Sequence, residues 1–113
     1  MTGTWTKGVQ DDSTAVTNVQ LAGLGNGIVG FAKIVQTITP TAVAAATTVE
    51  QSVNVPGLAV GDYVEVCPPA LTAGVTLANS RVSAANTLQL QFVNSTAGSL
   101  TPPAGVHIIF VVR

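Results

Sequence analysis

From Val53 to Arg113 the chain is a succession of short β-branched runs punctuated by glycine, proline and asparagine, with very little charge. VNVPGLAVGDYVEV leads into RVSAANTLQLQFVNSTAGSLTPPAG, and VHIIFVVR closes the segment. Such runs are too short for stable helices, and their residue types suit a pleated, half-buried surface. This pattern dictates β-structure whose outside is nearly as apolar as its inside.

Alternation fixes the strands one by one. Val49, Gln51, Val53 and Val55 fall on one side of an extended chain, and Glu50, Ser52 and Asn54 on the other. Pro56-Gly57 turns the chain, Gly61-Asp62 starts a strand over 63–67, and Pro68-Pro69 ends it. Further strands are predicted over 75–82, 87–94 and 106–112, with a turn over 83–86 and a loop over 94–105. In 87–94, Leu88, Leu90 and Phe92 point inward while Gln89 and Gln91 point out. The last strand is apolar on both faces, which places it centrally in a sheet or at a subunit interface. Upstream, 28–39 is β-branched and ended by Pro40, and 41–47 reads as a linker or strand edge. Turn signals every 8–12 residues or so indicate an all-β fold, an antiparallel β-sandwich or jelly-roll-like barrel. Residues 1–20 lack periodicity and read as an extended N-terminal arm with Trp5 as its one large anchor. Residues 21–113 form the single β-sandwich domain.

At 113 residues the chain suffices for one core. Only 8% of residues are charged and the net charge is −1, against roughly 25% charged in an average soluble protein. Mean hydropathy is +0.51. A surface so poor in charge suits a subunit packed against neighbours, since permanent interfaces are depleted in charge. Lys7, Lys33, Arg81 and Arg113 are widely separated, so no basic stripe exists to displace counterions from nucleic acid. No apolar run approaches the roughly 20 residues of a membrane-spanning helix. The polar start MTGTWTKGVQDDST lacks the plan of a signal peptide, so synthesis in the cytoplasm is expected.

Candidate chemistry is sparse. Gly25-Asn26-Gly27-Ile28-Val29-Gly30 matches the dinucleotide fingerprint G-x-G-x-x-G, with Glu50 downstream. That motif needs a helix whose N-terminal amides hold the pyrophosphate. The β-branched, proline-ended stretch that follows calls instead for turn glycines. His107 is the single histidine and Cys67 the single cysteine. An ordinary zinc site or a nucleophile–base pair has no material here. His107 is expected packed or hydrogen-bonded in its strand, and Cys67, alternating with Tyr63 and Glu65, as a small buried or half-buried hydrophobe. Asp62 and Glu65 fall on opposite faces and cannot cooperate as acid and base. Asp11-Asp12, the adjacent acidic pair, lies in the arm and reads as a solvated turn. Asn94-Ser95-Thr96 is a glycosylation sequon that matters only on a secretory route. One Trp, one Tyr and three Phe make a thin platform for stacking sugars. No cofactor, metal or catalytic residue is expected, and the chain reads as a non-enzyme.

Three stretches carry a resemblance: Val55-Pro56-Gly57-Leu58-Ala59-Val60-Gly61-Asp62-Tyr63-Val64, then Arg81-Val82-Ser83-Ala84-Ala85-Asn86-Thr87-Leu88, then Phe92-Val93-Asn94-Ser95-Thr96-Ala97. Their pattern of turns and strands, over 53–113, resembles the small head decoration, or cement, proteins of tailed bacteriophages and related sandwich modules of tail appendages. The resemblance implies a jelly-roll-like protein on the outer capsid surface of a virion, a dimer or trimer without an active site. It would bridge major capsid protein subunits and stabilise the shell, often through an N-terminal arm. Trp5, Asp11 and Asp12 are then the expected capsid-contact residues. A second reading from the same chain is a carbohydrate- or protein-binding module of a phage tail appendage, which requires an exposed aromatic cluster.

Overall fold

Among the residues described by a computed structural model, Gly25 and 27–113, six strands form and no helix does. They are β1 (Phe31–Ile38), β2 (Thr47–Asn54), β3 (Tyr63–Cys67), β4 (Val75–Ala84), β5 (Thr87–Asn94) and β6 (Gly105–Val112). Two three-stranded sheets result, in the orders β1-β6-β3 and β2-β5-β4, with every pairing antiparallel. The ribbon β5–β6 is thus flanked by β1–β2 on one edge and by β3–β4 on the other. The two sheets together make an antiparallel β-sandwich.

The strands fall where alternation places them, with small shifts at their ends. β1 is shorter than the expected 28–39, and β4 runs two residues past Val82 to Ala84. β6 is the central strand of its sheet, one of the two places its apolar faces allow. The register of β4 against β5 shifts between Leu77 and Asn79. The extra residue, Ala78, reverses the alternation, so Val75 and Leu77 face inward before the bulge and Ser80 and Val82 after it. The Ser80 hydroxyl then donates to the Val64 carbonyl of β3 at 3.4 Å, joining the two sheets on that side.

The inner faces meet over one cluster in which Val43, Val55, Leu88, Leu90 and Ile109 are fully enclosed. Burying each such Leu or Ile side chain is worth about 1.5–3 kcal/mol. Two local devices close the ends of the sandwich. Asn94 is buried at the end of β5, where its amide donates to the carbonyls of Val43 and Gly98, each at 2.9 Å. Its Oδ1 accepts the Thr96 N–H at 2.9 Å. This pins the 95–104 loop to the 40–46 connection, which also exchanges backbone bonds through Val43 and Leu100. At the other end, Asn86 takes φ 60° in the turn from β4 to β5. Its Oδ1 accepts the Gly57 N–H at 2.8 Å, tying that turn to the Pro56-Gly57 turn.

Candidate functional site

The two outer faces of the sandwich differ in kind. Outside the β2-β5-β4 sheet, Glu50, Ser52, Gln89, Gln91 and Arg81 are displayed, and Glu50 and Arg81 form a two-bond ion pair with both distances 2.8 Å. The Arg81 guanidinium holds the Glu50 carboxyl below the usual carboxylate range, chiefly through these hydrogen bonds. Such a face is ordinary solvated surface.

Outside the β1-β6-β3 sheet the register builds a different surface. Phe31, Val112 and Tyr63 stand side by side in one row across the three strands. Lys33, Phe110 and Glu65 form the next row, and Val35, Ile108 and Cys67 the third. Thr37 and Val106 follow on β1 and β6. Phe31 is 67% exposed, Tyr63 60%, Val35 59% and Phe110 44%. The Phe31 and Phe110 rings lie 6.4 Å apart, tilted by 32°. The Tyr63 hydroxyl donates to Glu65 at 3.3 Å. Three aromatic rings and the flanking aliphatic groups therefore share one sheet face, with one cation on its β1 edge and one anion on its β3 edge.

Cys67 belongs to this face and is exposed, contrary to the expectation that it is buried. Alternation groups Cys67 correctly with Tyr63 and Glu65, but that whole side of β3 looks outward. The inward side carries Val64 and Val66. His107 lies on the opposite side of β6, 2% exposed, with Nδ1 at 2.9 Å from the Gly105 carbonyl. A carbonyl only accepts, so Nδ1 carries the proton. The ring is a packed strand histidine, as its setting in the sequence indicates.

The other singled-out groups are placed structurally. The stretch after Gly27-Ile28-Val29-Gly30 is strand β1, so no helix N-terminus meets the fingerprint glycines. Asp62 precedes β3 and receives the Ala59 N–H at 2.9 Å and two hydrogen bonds from Arg113, at 2.8 and 2.7 Å. Arg113 also donates to the Gly57 carbonyl at 2.9 Å. The Asp62 carboxyl is held below its ordinary range, first by the Arg113 hydrogen bonds against the opposing effect of burial. Asn94 of the sequon is buried with its amide engaged, so the folded domain offers no acceptor there. A cleft of about 340 Å³ opens beside Phe31, Ile34 and Leu58, and its charged lining group, Arg113, is already paired with Asp62. No three His, Cys, Asp or Glu side chains among the described residues could jointly hold a metal ion. Trp5, Asp11 and Asp12 lie outside the described residues.

No family model, curated protein or solved structure matches the chain. The class is therefore defined by the fold and its surface: an antiparallel β-sandwich with one polar and one apolar outer face.

Proposed function

We propose that this chain is a non-enzymatic structural subunit of a virion, a decoration protein that sits on the outer surface of a phage head and bridges its major capsid subunits. The observation that carries the reading is the apolar outer face of the β1-β6-β3 sheet on a chain with 8% charged residues. What supports a protein–protein contact is the grouping of exposed aromatic and aliphatic side chains on one face edged by polar residues. In this reading residues 1–20 make the contact with the shell through Trp5, Asp11 and Asp12, and the apolar face packs against neighbouring protein in the assembly. The pattern of turns over 53–113, which resembles the cement proteins, supports the choice of a capsid among possible assemblies. Many copies, each held weakly, act together on the lattice, and polyvalency multiplies their effect.

The test uses expanded, undecorated heads assembled from the major capsid protein encoded in the same genome. Heads are mixed with the purified chain and sedimented through sucrose. Saturable binding at a fixed number of copies per shell, with the heads surviving higher temperature, is the expected result. Protein that stays at the top of the gradient at every concentration overturns the reading.

The grouping of Phe31, Tyr63 and Phe110 on one face favours a second reading, a carbohydrate-binding module of a tail appendage. Sugars stack on such rings, and Lys33, Glu65 and the Tyr63 hydroxyl would meet their hydroxyl groups. A glycan array decides it. Saturable binding that Phe110→Ala abolishes supports the module, and an array without signal removes it.

A further inference from the structure

We infer that the apolar face of the β1-β6-β3 sheet binds the same face of a second copy, about a two-fold axis running along β6. The inference rests on the assembly reading above and names the neighbour that covers the face.

The reason is the symmetry of the face itself. About the β6 line the apolar groups are balanced: Phe31 on β1 is matched by Tyr63 on β3, and Val35 by Cys67. The charges are opposed, with Lys33 on β1 and Glu65 on β3, both exposed and both level with Phe110. A face that contacts its own copy must be self-complementary under a two-fold rotation. An axis along β6 lays β1 of one copy over β3 of the other. Lys33 then meets the second copy's Glu65 on one side, Glu65 meets the second copy's Lys33 on the other, and Phe110 packs on Phe110. An axis across the strands through the same row would set Lys33 against Lys33 and Glu65 against Glu65, which like-charge repulsion disfavours. Stacked sheets pack about 10 Å apart, a gap that Lys and Glu side chains span from opposite sides.

The size of the face sets the strength. Three strands of eight residues or fewer cover a plane of roughly 14 by 26 Å. That is small beside the ~800 Å² per partner of a standard interface, so the pair is a weak, reversible one.

Sedimentation velocity of the full chain over a wide concentration range, combined with a charge swap, tests this. The wild type is expected to move from monomer to dimer with rising concentration. Lys33→Glu alone sets two anions against each other at both contacts, and Glu65→Lys alone sets two cations. Each variant is expected to associate at least about tenfold more weakly. An equimolar mixture of the two restores both opposite-charge contacts and is expected to dimerise as the wild type does. That recovery also shows that both variants are folded. A wild type that stays monomeric at every concentration, as when residues 1–24 cover the face within one chain, overturns the inference. So does a trimer, a pair of single variants that dimerise unchanged, or a mixture that stays apart. No shell is present, so the dimer and the decoration reading fail separately: a dimer that does not bind heads sinks only the latter.

Discussion

At the residue scale the fold depends on a few groups whose replacement has a calculable sign. Gly74 has φ +92°, and a β-carbon there would overlap the Thr96 side chain and touch Leu100 at 3.0 Å. Gly57 has φ +98° with open space around it. Gly57→Ala therefore meets backbone strain alone and is expected to cost about 1 kcal/mol, while Gly74→Ala adds a steric clash and should cost about 2–4 kcal/mol. Urea unfolding of the two variants checks the order, and equal losses would mean that the Thr96 loop yields freely. Asp62 links the turn at Ala59 to Arg113 and gives a pH dependence. Its carboxyl titrates below its ordinary value in the folded state, because the ionised form accepts hydrogen bonds from Arg113 and Ala59. The stability it contributes is fully present above the unfolded value of about 3.9 and is lost as the pH falls through the lower folded value. Asp62→Asn is then expected to be less stable than the wild type at neutral pH, and to converge with it in strongly acidic urea titrations. A constant gap across the whole range would show that the bonds count through their geometry and the charge does not.

At the scale of the strand, β6 presents two apolar faces with opposite fates. Ile109 is fully buried, whereas Ile108 is 38% exposed on the face proposed to dimerise. Ile109→Ala leaves a cavity in the core and is expected to cost about 2–5 kcal/mol, against less than about 1 kcal/mol for Ile108→Ala in dilute protein. The midpoint of urea unfolding measures both, and a loss at Ile108 that grows with protein concentration reports the dimer. β6 also shows how far the chain is legible. β-branched runs bounded by turn residues locate all six strands, and period-two alternation finds the inward set Leu88, Leu90 and Phe92, because half-burial forces that period. Alternation says which residues share a side but not whether another layer covers that side. Cys67 is exposed where a buried or half-buried residue is expected for this reason, and in β6 neither apolar row announces itself as the exposed one. The decision comes from partners distant in sequence, for Lys33 and Glu65 mark the open side only after pairing sets them beside Phe110. The same non-local pairing gathers Phe31, Tyr63 and Phe110 from three strands, so a cluster that looks thin in the sequence is dense in space. The bulge at Ala78 shows in the sequence only as a change of parity, from Val75 and Leu77 to Val82, across Ala and Asn.

At the scale of the whole molecule, topology and net charge govern behaviour. β1 pairs with β6 from Phe31–Val112 to Ile38–Gly105, so the β1-β6-β3 sheet cannot close until the ends of the described chain meet. Non-local pairing of this kind folds in milliseconds to seconds, and stopped-flow refolding is expected to fall there; a microsecond phase carrying all the amplitude would require a more local nucleus. The decoration reading calls for two contacts, one through the sheet face and one through residues 1–20. In the decoration reading they have different tasks: the face joins copies, and the arm with Trp5, Asp11 and Asp12 grips the shell. Among the described residues the buried core side chains are Ile38 and residues beyond it, so removing residues 1–20 is expected to leave the sandwich folded by circular dichroism and still dimeric by sedimentation. Its binding to expanded heads should be abolished, because polyvalency multiplies a per-copy contact only while that contact exists. Truncated protein that decorates heads at the wild-type copy number would move the shell contact from the arm onto the sandwich. Truncated protein that neither folds nor dimerises would make the first 20 residues part of the domain.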